Sequence, residues 1–203
     1  LYLFYGEYGY PGVYDSATYD ATKEWEGQCI SMARIAISDL GMPVNKARRW
    51  GGKAFDVPYD GAGRQIETLK IPVSEGGGPA SAPHSKYYWG PSVSWNTFLN
   101  CWVMLMAKAE GPSWNGGSIY ISFNRNRDLG PGNQSQQWSK PALLINRPGH
   151  ILWYPSLQPQ NSVNDINARN TCLSLGQEAR LFFKDQHDGI SEYVSEYIIR
   201  FEK

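Results

Sequence analysis

Aromatic and small polar side chains recur in this sequence next to proline-serine pairs, and they are well suited to binding a sugar. The stretch "YYWGPSVSWN" (87–96) and the later "WYPSL" (153–157) share this pattern. A flat ring can stack on a sugar face while hydroxyl and amide groups hydrogen-bond to it. The candidate substrate-binding residues are Trp89, Ser94, Trp95, Asn96 and Tyr154. These residue types make a carbohydrate the candidate ligand, and packing inside the fold is the alternative interpretation of the rings.

Carboxylates that could act on a bound sugar are few. Glu7 lies between aromatic residues at the end of a strand-like segment, "LYLFYGEY", and is the candidate catalytic residue. A solvent-facing strand end is the alternative interpretation of Glu7. Glu110 precedes Gly111-Pro112 in what reads as a loop. The acidic segment 14–27 could offer oxygen ligands to Ca²⁺, but it lacks the spacing of a Ca²⁺-binding loop, so a solvated loop is the simpler interpretation.

The spacing of histidine and cysteine predicts no metal site and no cofactor. The three histidines, His84, His150 and His187, are far apart and in different contexts. The three cysteines, Cys29, Cys101 and Cys172, form no C-x-x-C pair. Zinc is therefore not expected. We expect buried thiols in strands, with one disulfide as the alternative.

The balance of charge argues against two classes of partner. Lys plus Arg and Asp plus Glu number 19 each among the 203 residues, so the formal net charge is zero. Proteins that bind nucleic acid usually carry a basic stripe, and this sequence shows none. It also contains no apolar run near the roughly 18 residues of a membrane helix. We expect neither nucleic acid nor a membrane as a partner.

Short strand-like segments separated by Gly, Pro and Asn predict an all-β fold. Helical periodicity is scarce along the whole chain. The predicted strands are 1–8, 29–37, 53–57, 87–95, 99–107, 118–123, 142–145, 151–157, 179–184 and 194–201. Residues 58–86 are predicted to be a long connection. This pattern is typical of a sandwich, a barrel or a propeller.

The predicted strands fall into groups of similar order. Residues 87–145 form a meander of four steps, and 151–201 form a similar series in which Tyr154-Pro155-Ser156 takes the place of Gly90-Pro91-Ser92. Residues 1–57 match the second to fourth steps. A repeated four-stranded antiparallel unit is typical of a propeller blade. We therefore predict a β-propeller with about three blades in this chain, 1–203 being a single such domain or its C-terminal part. A sandwich is the alternative.

The order of these motifs resembles the later blades of the five-bladed β-propeller glycosidases. That clan comprises arabinanases, β-xylosidases, arabinofuranosidases and uncharacterised bacterial relatives. The elements that carry the resemblance are "GPSVSWN", "GSIYISFNRNRDL", "WSKPALLI", "WYPSL" and "ARLFF". The resemblance covers residues 87–203, and more weakly 1–57. It implies a glycosidase-type propeller, extracellular or periplasmic, that acts on or binds a polysaccharide in a central pocket.

The resemblance also implies where catalytic acids would stand. The clan carries three carboxylates on the innermost strands of its first three blades, since glycosidic cleavage needs one carboxyl to protonate the leaving oxygen and another to activate water or attack. Here Trp89 precedes Gly90-Pro91, where the clan commonly has Glu. The acids would then lie largely on an N-terminal fragment of the same protein. Strand 1–8 is expected to pair with a strand from that fragment, with a strand from another copy, or with the C-terminal strand 194–201, which would close the ring. A non-catalytic carbohydrate-binding protein and a self-assembling structural β protein are the alternatives.

Overall fold

Three sheets make up the described part of the fold, and apart from one two-residue strand each is formed by strands that follow one another along the chain. The computed structural model describes residues 1–7, 29–59, 63–78, 83–111, 113–129, 137–160 and 174–203. The first sheet contains β1 (Tyr2–Glu7), β2 (Cys29–Arg34), β3 (Arg48–Trp50) and β4 (Phe55–Pro58). The second contains β5 (Lys86–Asn96), β6 (Cys101–Glu110), β7 (Asn115–Asn124) and β8 (Ala142–Asn146). The third contains β9 (Ile151–Pro159), β11 (Glu178–His187) and β12 (Ile190–Arg200). The short β10 (Ser174–Leu175) is the fifth strand of the second sheet, where it pairs in parallel with the end of β5.

The predicted all-β class is confirmed. The helical segments of the described residues are the short 3₁₀ turns Ile37–Asp39, Glu67–Leu69 and Val73–Glu75. None of the helices in that part of the chain is long and apolar enough to span a membrane. The predicted four-step meander over 87–145 is also confirmed, since β5 to β8 pair consecutively and antiparallel.

Strand β6 lies in the middle of the molecule and is buried on both faces. Its run "CWVMLMAKA" has hardly any polar alternation, which is typical of a strand covered on both sides. Val103 and Leu105 pack in a core with the third sheet, whereas Met104 and Met106 pack in a core with the first sheet. The second sheet is therefore sandwiched between the other two. Cys101 belongs to this interior, and its burial raises the pKa of its thiol, as expected for a buried, unreactive cysteine.

The first strands of the three sheets lie next to one another. Strand β5 packs against both β1 and β9. In the sheet order, β1 and β9 are edge strands among the described residues. The placement of β1 differs from the sequence interpretation, because residues 48–58 supply two strands and β1 is therefore the first of four strands, not the second. Whether a further strand pairs with the other edge of β1 stays a prediction.

The repeated proline motifs produce the same distortion in β5 and β9. Gly90 and Tyr154 both have positive φ angles, 60° and 55°. In each case the pairing register shifts at the proline. In β5 the shift against β6 falls between Trp89 and Ser92. In β9 the shift against β11 falls between Trp153, which pairs with Lys184, and Ser156, which pairs with Phe182. Both are β-bulges, which bend a strand and redirect its side chains. The predicted equivalence of the two motifs is confirmed at the level of the backbone.

The connection between β4 and β5 is packed in its described parts. Ile66, Leu69 and Ile71 are buried, and Ile66 donates its backbone N–H to the carbonyl of Ile30 in β2. Gln65 forms an isolated bridge with Ser31. The apolar residues that interrupt an otherwise polar stretch therefore anchor this connection to the first sheet.

Candidate functional site

An aromatic cluster forms where the bulges of β5 and β9 meet. Trp89 lies at its centre, with ring centroids 4.8 Å from Trp114, 5.4 Å from Tyr154 and 6.0 Å from Trp153. All three contacts are edge-to-face, the arrangement that ring quadrupoles favour. We call these four residues the aromatic site. The structure thus brings together Trp89 and Tyr154, two of the residues that the sequence predicted to bind sugar.

Tyr154 combines exposure with backbone strain. Its side chain is 57% exposed, although it is a large ring held against Trp89. A positive φ in the left-handed region costs a non-glycine residue about 1 kcal/mol or more. The equivalent bulge position in β5 is Gly90, which adopts this conformation without that cost. Strain of this kind is concentrated at functional sites, so Tyr154 is the strongest candidate for ligand contact.

The other members of the aromatic site are held in place by hydrogen bonds and by contacts with neighbouring side chains. The Trp153 indole N–H donates to the backbone carbonyl of Trp114 at 3.2 Å, and the Lys184 ammonium lies 4.8 Å from the centre of the Trp153 ring. Tyr87 donates its hydroxyl to the carbonyl of Gly111 at 2.8 Å, which holds the turn that carries Trp114. Trp89 is buried, and its indole N–H has no partner among the described residues. The exposed ring of Tyr154 therefore rests on a rigid base.

The sequence did not assign Trp114, Trp153 or Lys184 to a site. Trp114 lies in the turn between β6 and β7, in the loop "EGPSWNGG", and its φ of 58° directs it back over the sheet. Lys184 faces Trp153 because the two are paired across β11 and β9. The signal available in the sequence was a lone tryptophan in a loop otherwise made of small residues.

The remaining candidate residues lie elsewhere on β5. Trp95 faces the first sheet and pairs edge-to-face with Trp102 at 5.1 Å. Ser94 and Asn96 are buried on the opposite face of β5, with Ser94 opposite Val103. Glu7 is the last residue of β1, opposite Cys29, a register position that matches Asn96 opposite Cys101 in the second sheet. The five predicted sugar-binding residues therefore do not form one group.

Asn96 connects the end of β5, in the second sheet, to Gly176, which lies between β10 and β11. Its side-chain carbonyl accepts a hydrogen bond from the backbone N–H of Leu99 at 2.7 Å, and its amide donates to the carbonyl of Gly176 at 3.0 Å. The neighbouring Thr97 donates both its backbone N–H and its hydroxyl to the carbonyl of Leu175. This arrangement fixes the turn after β5 and holds β10 against it.

Replacing Asn96 with alanine is expected to destabilise the fold by about 2 kcal/mol, because it leaves buried backbone groups without partners. The measurement is the urea midpoint of unfolding at unchanged slope. Thr97→Val, which keeps the backbone hydrogen bond and removes only the hydroxyl, is the milder control. Equal stability of the Asn96→Ala and wild-type proteins would contradict this structural role.

A cleft of about 670 Å³ opens beside the aromatic site, lined by residues from the β6–β7 turn and from the connection between β8 and β9. Glu110 and the exposed His84 face it, with the carboxylate 3.3 Å from the imidazole Nδ1. Glu110 ends β6 opposite Lys86, not on a first strand. His150 and Ile151 form part of the opposite wall.

A second polar cluster lies beneath His150. Asp185 is fully buried, and it accepts hydrogen bonds from the Arg147 guanidinium and from Nδ1 of His150 at 2.8 Å. Burial alone raises the pKa of this carboxyl, but the hydrogen bonds and charges of His150 and Arg147 outweigh it and hold the pKa below its usual range. His187 stacks on His150, with ring centroids 4.4 Å apart. The fold thus brings together two histidines that lie far apart in the sequence.

Comparison with known proteins does not assign a family. Neither a protein-family model, nor a curated protein, nor a solved structure matches this chain. The function must therefore be inferred from the geometry of the two clusters and from the arrangement of the sheets.

Proposed function

We propose that this protein is a carbohydrate-binding domain of the propeller type, related to the glycosidase propellers that its motifs resemble. The observation that carries the proposal is Tyr154, a half-exposed ring kept in a strained backbone conformation on a rigid aromatic base. A ring positioned in this way can stack on a sugar with little further loss of conformational freedom. Trp89, Trp114 and Trp153 complete the site beneath and beside it.

The arrangement of the sheets supports the propeller part of the proposal. In a propeller, each blade packs face to face against its neighbours and places its first strand nearest the axis. The second sheet has both faces covered, and β5 lies between β1 and β9. Each sheet then corresponds to one blade. Because propellers close with four to eight blades, an N-terminal fragment or another copy would supply the rest.

The proposed ligand is a polysaccharide, and the proposed location, extracellular or periplasmic, is the one that the resemblance implies. The resemblance to arabinan- and xylan-degrading propellers suggests pentose polymers as the first probes. The residues that would contact the polymer are Tyr154 directly and the exposed parts of Trp114 and Trp153 at its flanks. Ser94 and Asn96 would act by fixing β5, not by contact.

The test is to measure the binding of arabinan, xylan and arabinoxylan by affinity electrophoresis and by tryptophan fluorescence. We expect at least one polymer to bind the wild type, and Tyr154→Ala to weaken that binding by about tenfold or more, on the order of 1.4 kcal/mol. The matched control is Tyr193→Ala, since Tyr193 lies on the same sheet and is 80% exposed but makes no ring contact with another of the described residues. Equal losses for both variants, or no binding by the wild type, would refute the proposal.

Glycoside hydrolysis is the second candidate function, and the position of Glu7 favours it. Glu7 ends the first strand of its sheet, and β1 packs beside β5. A carboxyl at that position would be one of the pair that cleavage needs. In this case Glu7→Gln should reduce release of reducing ends by about 100-fold or more while binding persists. Unchanged hydrolysis in Glu7→Gln would exclude Glu7 as the catalytic acid or base.

A further inference from the structure

The structure assigns a second site, a binding site for a zinc-type divalent metal formed by His150, Asp185 and His187. One ligand atom from each residue can be chosen so that all three lie within 4.8 Å of one another. Two imidazoles and one carboxylate form a ligand set that zinc and its neighbours in the first transition row bind well. This site is separate from the aromatic site and does not depend on the proposed function.

The register of the third sheet produces this convergence. Asp185 and His187 are two residues apart on β11, so their side chains point to the same face. Strand β9 pairs with β11 so that Leu152 lies opposite Asp185 and Ile151 lies opposite Gln186. His150, the residue immediately before β9, therefore lies next to His187. The stacking of the two rings, with planes 30° apart, agrees with this position. His150 and His187, which are far apart in the sequence, therefore become neighbours beside the carboxylate of Asp185.

The distances suit a small metal ion. Oδ1 of Asp185 lies 2.8 Å from Nδ1 of His150 and 3.8 Å from Nδ1 of His187. Ligand atoms bound tetrahedrally to zinc at 2.0–2.1 Å are separated by about 3.3 Å, midway between these two values. The two histidine nitrogens lie within 4.8 Å of each other, so bringing them to the same separation would take a shift of at most about 1.5 Å. On binding, the metal would replace the proton that His150 shares with Asp185.

His187 provides an independent indication of a ligand. Its Nδ1 atom is buried, and it has no hydrogen-bond partner among the residues that the structure describes. The 3.8 Å separation from Asp185 is too long for a hydrogen bond. Leaving a polar nitrogen buried and unsatisfied is costly, and coordination of a cation by its lone pair removes that cost.

Arg147 does not compete for the proposed metal position. Its guanidinium bonds Oδ2 of Asp185, which leaves Oδ1 for the metal. Arg147 is itself held by the Tyr197 hydroxyl at 2.8 Å and lies near Glu196 at 3.4 Å. A hydrogen bond to the second oxygen of a ligating carboxylate is a common way to orient it. Arg147 is therefore a positioning residue for Asp185.

The site is accessible from outside. The side chains of His150 and His187 are 29% and 28% exposed, and His150 lines the cleft described above. Three protein ligands would leave a fourth position for water or for a group of another molecule, whereas structural zinc sites usually have four protein ligands. Nitrogen ligands also disfavour Ca²⁺ and Mg²⁺, which prefer oxygen.

The experiment is titration of the metal-free protein with Zn²⁺, Ca²⁺ and Mg²⁺ by calorimetry, and with Co²⁺ by visible absorption. We expect one equivalent of Zn²⁺ to bind, a rise in the melting temperature, and tetrahedral d–d bands with Co²⁺. His187→Gln and His150→Gln should each weaken Zn²⁺ binding by about tenfold or more, by loss of one ligand. Because His187 makes no hydrogen bond through Nδ1, His187→Gln should fold normally.

His84→Gln is the matched control, since His84 faces the same cleft but lies outside the three-residue set. Its Zn²⁺ affinity should equal that of the wild type, as should that of Tyr154→Ala. The assignment would be overturned if Zn²⁺ did not bind, if the two ligand variants bound as well as His84→Gln, or if Ca²⁺ or Mg²⁺ bound as tightly as Zn²⁺.

Discussion

Replacing Tyr154 with glycine is expected to weaken polysaccharide binding by about tenfold or more, while leaving the stability of the fold within about 1 kcal/mol of the wild type. The substitution removes the ring that the proposed function requires. It also removes a left-handed strain of about 1–2 kcal/mol. The packing lost is that of a residue 57% exposed, whose ring forms edge-to-face pairs with Trp89 and Trp153, a contribution of about 0.5–1.5 kcal/mol for each pair. Gain and loss nearly cancel.

Comparison with Tyr154→Ala separates these two effects. Alanine removes the ring but keeps a Cβ at a φ of 55°, so this variant should be less stable than Tyr154→Gly by about 1 kcal/mol. Both variants should lose binding equally. Gly90→Ala provides the converse control, since a Cβ at Gly90 would meet nothing within 4 Å and any cost must come from its φ of 60°. The measurements are urea unfolding and affinity electrophoresis on the same samples. A Tyr154→Gly variant that binds normally would show that the strained ring serves another purpose.

The sequence predicted most of the strands because their signals are local. Alternation and turn residues located β5 to β8 within a few residues, and the shared X-Pro-Ser motif predicted that Gly90 and Tyr154 hold equivalent positions. Proline removes a backbone hydrogen-bond donor and glycine tolerates a positive φ, so the bulge in β5 could be anticipated from the Gly90-Pro91 pair. That Tyr154 adopts the same conformation could be inferred only from the repeat, because tyrosine itself disfavours it.

The parts that the sequence did not predict depend on pairing between distant segments. Strand β10 has two residues and joins β5 in parallel, and no local pattern identifies so short a strand. The separation of β3 from β4 was missed because "RRWGGKAFDV" reads as a single step although its two glycines turn the chain. The contact of His150 with His187 depends on the register of β9 against β11, and a shift of one residue would place them on opposite faces. Clusters of side chains that form through pairing of distant strands cannot be recognised from the spacing of their residues in the sequence.

Replacing Arg147 with methionine is expected to destabilise the protein by about 3 kcal/mol, because it leaves the buried Asp185 carboxylate without its cationic partner. Asp185 is fully buried, and Arg147 also lies 5.5 Å from the ring centres of both Phe183 and Tyr197. Methionine keeps most of the apolar length of the side chain, so the loss should come mainly from the charge. The measurement is urea unfolding in the presence of a chelator, which removes any contribution from bound metal.

Arg200→Met is the matched control for this experiment, because it makes the same chemical change at an exposed pair, at the end of β12. Arg200 lies 3.9 Å from Glu178 and is 65% exposed, and pairs of this kind contribute about 0–1 kcal/mol. A loss as small for Arg147→Met as for Arg200→Met would contradict the buried pair. Adding Asp185→Asn to Arg147→Met should restore part of the lost stability, since the double variant no longer buries an unpaired charge. Strictly additive losses would instead mean that Arg147 stabilises the fold through Phe183 and Tyr197, and that Asp185 is oriented by His150 alone.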